Sequence, residues 1–145
     1  MKKKLLILAL LAALLTALLC ACGGPAADEI TTDYVYFRNN TGVKVAGIYV
    51  TPAGQDGWGD KLNWGDYVSA GGQIRIDKEK FTAPDGLYDI GAVDENAMNY
   101  DIYGAELVPG DIFALSASGG EAVCTVIHTD GSESLYYGAA YAEDE

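Results

Sequence analysis

The chain opens with one long apolar run and continues as a succession of short ones. No charged residue occurs from Leu5 to Cys22. After Asp33 the apolar positions come in brief stretches punctuated by Gly, Pro, Asn and Asp, and none of them shows the i, i+3, i+4 spacing of an amphipathic helix. The pattern predicts strands at 33–38, 43–50, 73–77, 87–93, 99–103, 111–116, 122–127 and 132–137. Gln73-Ile-Arg-Ile-Asp77 alternates with period two, which turns Ile74 and Ile76 inward and Arg75 outward. Asn39-Asn-Thr-Gly42 reads as a turn, and Asp130-Gly131 as a tight hairpin. About eight strands, no helix and Gly-rich turns predict an all-β domain at residues 33–138, an antiparallel β-sandwich, with a small closed barrel as the alternative. Residues 139–145 read as an acidic tail.

The first apolar run is preceded by Lys2-Lys3-Lys4 and ends in small residues, the three regions of an export signal. Its exit, Leu19-Cys20-Ala21-Cys22, resembles a bacterial lipobox, which wants an aliphatic residue at minus three, a small one at minus one and Cys after the cut. Cys22 meets this with Leu19 and Ala21, whereas cutting before Cys20 would place the large Leu19 at minus one. The resemblance implies a signal peptide at residues 1–21, diacylation of the Cys22 thiol, and a tether at 22–32 that holds the domain on the extracytoplasmic side of the membrane. The alternative is an uncleaved membrane helix, just long enough to span, with the lysines on the cytoplasmic side. Both place the domain outside the cytoplasm.

Charge narrows the partners. Removal of residues 1–21 takes away three lysines and leaves six basic residues against twenty-one acidic ones, a net charge of −15. Such a chain is repelled by phosphate backbones and anionic lipid headgroups, so nucleic acid is excluded and membrane contact is left to the N-terminal lipid. With Cys20 lost and Cys22 lipidated, Cys124 has no disulfide partner, and Ala-Val-Cys-Thr-Val-Ile marks it as a buried strand residue.

One series of short motifs carries a second resemblance. Asn39-Asn-Thr-Gly42, Ile48-Tyr-Val-Thr-Pro52, Trp58-Gly-Asp60, Gly71-Gly72 before a strand, Tyr88-Asp-Ile90 and Val93-Asp-Glu95 together resemble a small β-sandwich domain of bacterial exported proteins and lipoproteins, over residues 34 to 107. The family has no assigned activity and implies no catalytic residue. The chain departs from it at Asn63-Trp64, where an extra aromatic appears.

Candidate chemistry is sparse. His128 is the only histidine, and Asp130 is placed to orient it, but no Gly-x-Ser-x-Gly elbow accompanies them. Zinc ligands are lacking; Asp56, Asp60 and Asp66, and Asp94, Glu95, Asn96, Asn99 and Asp101, form oxygen-rich stretches without the EF-hand spacing. Neither a metal nor another cofactor is expected. The most distinctive stretch is Asp56-Gly-Trp-Gly-Asp-Lys-Leu-Asn-Trp-Gly-Asp66, in which Trp58-Gly-Asp60 is repeated as Trp64-Gly-Asp66. Trp58 is expected to plug an open end of the sandwich and Trp64 to be exposed. An exposed indole beside carboxylates suits either a protein hot spot or a sugar-stacking platform. The expected function is therefore a non-catalytic, lipid-anchored envelope domain that binds a protein or has a structural role; the alternative is a carbohydrate- or cell-wall-binding module using Trp58, Asp60, Trp64 and Asp66.

The anchor is tested by substitution. Cys22→Ala should abolish labelling by a lipid-precursor analogue and leave unprocessed precursor, whereas Cys20→Ala should not; labelling retained in Cys22→Ala would refute the assignment.

Overall fold

A computed structural model of the protein describes residues 29–63 and 65–142. The expected signal peptide, Cys22, most of the expected tether, Trp64 and the last three residues lie outside the described residues. The described chain forms eight strands: β1 (Tyr34–Asn39), β2 (Val45–Pro52), β3 (Gln73–Asp77), β4 (Leu87–Asp94), β5 (Met98–Glu106), β6 (Ile112–Ser118), β7 (Glu121–Ile127) and β8 (Glu133–Ala142). A 3-10 turn at Lys78–Lys80 is the one helical piece among the described residues.

All eight strands belong to one sheet in the order β2-β4-β5-β8-β7-β6-β1-β3, strongly curled into a half-barrel. The expected two-layer sandwich is thus replaced by a single layer bent around its own core. The pairing is also mixed, since β1 runs parallel to β6 and antiparallel to β3. The physical reason lies in β8. Glu133 to Ala139 pair with β7, and Ala139 to Ala142 pair with Asp101 to Met98 of β5. Residues 139–142 are therefore strand rather than tail, and they join β2-β4-β5 to β8-β7-β6-β1-β3.

Alternation gives the curl a dry inside. Val35, Phe37, Ile48, Ile90, Ile102, Phe113, Leu115, Cys124 and Val126 are each at most 1 % exposed and face one another across the concave side. Full burial of side chains of this size contributes about 1.5–3 kcal/mol apiece. Phe37 and Phe113 meet with ring centroids 5.3 Å apart. Burial pushes the Cys124 thiol up to about 12, which keeps it protonated and inert.

The sheet does not close on itself: β2 and β3 are its edges, and the long β2–β3 loop fills the gap. Leu62 N–H donates to the Ile48 carbonyl at 2.8 Å, and Val68 and Val45 exchange backbone bonds at 2.9 and 3.0 Å. Two asparagines hold the loop. The Asn39 amide, fully buried, donates to the Val43 and Val68 carbonyls at 2.7 and 2.8 Å, while its Oδ1 accepts from Thr41 N–H at 3.0 Å and Thr41 Oγ1 at 2.7 Å. Asn63 Oδ1 accepts from Ile48 N–H at 2.9 Å, and its Nδ2 donates to the carbonyls of Ala46 at 3.1 Å and Asp66 at 2.7 Å. Each amide satisfies backbone groups that a loop on a sheet edge would otherwise leave unpaired.

The β5–β8 junction tolerates no side chain at Gly138, because a Cβ there would collide with the Asp101 carbonyl and also approach Ile102 Cδ1 at 3.1 Å. Gly138→Ala should therefore lower the unfolding free energy by about 1–3 kcal/mol, as overpacking does, read as a shifted urea midpoint. An unchanged midpoint would show that the two strands have room to separate there.

Candidate binding face

The outer face of β2, β4 and β5 is built by a repeated tripeptide. Tyr88-Asp89-Ile90 on β4 and Tyr100-Asp101-Ile102 on β5 send Tyr and Ile into the core, so alternation turns Asp89 and Asp101 to the opposite face. Ile90 pairs with Ile102, and Gly91 lies opposite both Tyr49 of β2 and Asp101 of β5. The face is paved with two glycines. A Cβ on Gly47 would meet the Tyr49 ring at 3.0 Å, and one on Gly91 would meet the Trp58 indole at 3.0 Å, so each aromatic lies flat over a strand position without a side chain.

Trp58 is consequently no plug. It sits on the convex side, 41 % exposed, with the Tyr103 ring stacked beside it at a centroid distance of 6.3 Å and an interplanar angle of 29°. Tyr103 is itself 62 % exposed. The indole separates two clefts. One, of about 160 Å³, is lined by Thr51, Gln55, Gly57, Asp89 and Tyr103 along with Trp58. The other, of about 320 Å³, has Tyr49, Gly91, Asn99 and Asp101 among its walls.

Asp89 and Asp101 are each only 8 % exposed. Asp89 Oδ2 accepts from Gly54 N–H at 3.0 Å and Oδ1 from Gly104 N–H at 2.9 Å, which fixes the start of the β2–β3 loop and an irregular turn of β5. Asp101 Oδ2 accepts from the Tyr141 hydroxyl at 2.7 Å and from that of Tyr103 at 3.4 Å. Burial, then the charge of Asp101 and its hydrogen bond, and then the charge of Asp89 raise the Tyr103 phenol above its ordinary value. Among the described residues neither carboxylate forms an ion pair.

Of the four binding residues expected from the sequence, the structure places Trp58 here and Asp60 and Asp66 elsewhere. Asp60 is exposed and lines a different cleft with Lys61, Leu62, Arg75, Ile76, Asp77 and Lys80, beside the β3 edge. Asp66 is exposed and contributes a backbone carbonyl to the Asn63 cluster. Trp64 lies outside the described residues. The carboxylates that do flank Trp58, Asp89 and Asp101, were signalled by the doubled Tyr-Asp-Ile. The oxygen-rich stretch at Asp94 is committed internally, with Oδ1 accepting from the Asn96 and Met98 amides at 2.7 and 3.0 Å and Oδ2 from the Tyr100 hydroxyl at 2.7 Å. Among the described residues no group of three or more His, Cys, Asp or Glu side chains is disposed to hold a metal ion.

A second cluster lies at the end of the half-barrel. His128 does not use Asp130, whose carboxylate instead accepts from Ser132 N–H at 2.9 Å and Ser132 Oγ at 2.6 Å. The partner is Asp111, fully buried at the entry to β6, with Oδ2 at 3.1 Å from His128 Nδ1 and 2.9 Å from Val108 N–H. On its other side His128 Nε2 stands 3.1 Å from Ser134 Oγ. With the proton on Nδ1, the Ser134 hydroxyl donates to Nε2, the order of orienter, base and hydroxyl found in acyl-transfer enzymes. None of the clefts described above is lined by these three residues, and Ser134 stands in the β7–β8 ladder opposite Val126. The relay ties the start of β6 to the β7–β8 hairpin.

Comparison of the chain with protein-family models, with curated proteins and with solved structures finds no match.

If the relay is a tie and not a nucleophilic centre, a fluorophosphonate probe should leave Ser134 unmodified. Labelling of the wild type that disappears in Ser134→Ala would reassign the cluster to acyl transfer.

Proposed function

We propose that this protein is a non-catalytic, lipid-anchored domain on the extracytoplasmic side of a bacterial membrane, and that its Trp58–Tyr103 face binds a glycan of the cell envelope. The observation that carries this reading is the indole lying flat over Gly91 with 41 % of its surface open, next to the exposed Tyr103 ring. Pyranose rings stack their C–H faces on such surfaces, and polar groups at the margin, here Thr51, Gln55, Asn99 and the two aspartates, bond their hydroxyls. The anchor comes from the lipobox at Cys22. A protein partner is the second reading, favoured by Leu135 and Tyr137, 55 % and 61 % exposed in one outward row of β8.

The two readings use different residues. Full-length protein in uncharged detergent should be retained on one of a panel of insoluble polysaccharides comprising peptidoglycan, chitin and cellulose. Trp58→Ala should weaken retention at least tenfold, the scale of about 1.4 kcal/mol or more for a stacking aromatic, while melting close to the wild type because its indole is already partly in water. Absence of retention on every polysaccharide, or retention indifferent to Trp58→Ala, would reject the glycan reading.

A further inference from the structure

Resting on the glycan reading above, we infer that the sugar taken by the Trp58 face carries free, protonated amino groups, as an unacetylated 2-amino sugar does. The argument starts from the two carboxylates that border the indole. Asp89 lines the cleft on one side of Trp58 and Asp101 the cleft on the other, and each is 8 % exposed. Charges so far removed from water are ordinarily paired with a cation. Among the described residues their hydrogen-bond partners are neutral, backbone amides for Asp89 and tyrosine hydroxyls for Asp101, and neither carboxylate has an ion-pair partner.

The basic residues after the leader are engaged elsewhere. Lys44 pairs with Glu95, Lys78 with Asp33, and Arg38 donates to Gln73. Arg75 lies over the Tyr34 ring, and Lys61 and Lys80 line the cleft by β3. None of them lines either cleft at Trp58.

The aromatic walls point the same way. The π-faces of Trp58, Tyr103 and Tyr49 are electron-rich, and an ammonium entering either cleft meets a ring face and a carboxylate together, a combination that attracts cations more strongly as water is displaced. A neutral sugar would use the stacking surface and leave both charges uncompensated. An amino sugar uses both features. The acidic surface of the whole domain adds long-range attraction of the same sign, so the test has to separate local recognition from that diffuse field.

The full chain in uncharged detergent is titrated calorimetrically at pH 6 with the tetramer of glucosamine and, separately, with that of N-acetylglucosamine. The unacetylated tetramer is expected to bind at least tenfold tighter. Asp101→Asn, which keeps an oxygen to accept from Tyr141, should reduce that preference at least fivefold, and Trp58→Ala should abolish it. Asp89→Asn serves as the second variant should Asp101→Asn fail to melt cooperatively. Equal affinity for the two tetramers would overturn the inference and leave the glycan reading standing. A preference that persists in Trp58→Ala, or in both aspartate variants, would overturn it as diffuse attraction. Tighter binding of a lysine-containing tetrapeptide would overturn it in favour of a basic protein segment. If neither tetramer nor any polysaccharide of the panel binds, the glycan reading falls and the inference with it.

Discussion

The pairing of Met98–Asp101 with Ala139–Ala142 is the contact on which the rest of the molecule depends. Every other ladder joins strands within one of two groups, and only this one makes a single sheet of them. It is possible because Gly138 lets β8 pass against the Asp101 carbonyl, and because Ala139, Ala140 and Ala142 ask for little room. The junction also carries the candidate binding face. Asp101 and Asn99, which line one cleft at Trp58, are paired residues of that ladder, and Tyr141 reaches across it to the Asp101 carboxylate. Strand order and candidate site are therefore consequences of one contact.

A second theme is the work given to buried polar side chains. Asn39, Asn63, Asp89 and Asp94 each take two or more backbone or hydroxyl partners at a loop or strand irregularity, where regular ladders leave groups unpaired. Asp111 joins Val108 and His128, while its Oδ1 has no hydrogen-bond partner among the described residues. Asp89 and Asp101 differ from the others in lining open clefts. In a chain this acidic, a carboxylate bonded to an amide is a structural device, and what sets Asp89 and Asp101 apart is the open aromatic surface beside them.

Much of the local structure was legible. Apolar runs between turn residues located the eight strands to within about three residues except at the end of β8, and alternation gave the inward placing of Ile74 and Ile76 and turn chemistry the hairpin at Asp130-Gly131. Alternation reports which face a residue takes and says nothing of which strand lies next to it, so the parallel β1–β6 pair and the joining of two strand groups into one curled sheet were beyond it. The end of β8 was missed because Gly138-Ala-Ala140 has little intrinsic strand preference; its conformation is imposed by β5. Trp58 was misplaced for a related reason. Its environment is set by Gly91, distant in sequence and brought beneath it only by the fold. The doubled Tyr-Asp-Ile was in plain view, and acquires meaning once Ile90 is seen to pair with Ile102.

The position of β8 bears on how the chain comes to be folded. The eighth strand lies in the interior of the sheet, between β5 and β7, and β1 has to wait for β6 before its parallel neighbour exists. Contacts of such long sequence separation form slowly. Until β8 inserts, β5 and β7 each present an unpaired edge, so the two halves of the sheet are open to water and to other strands for as long as the eighth is missing.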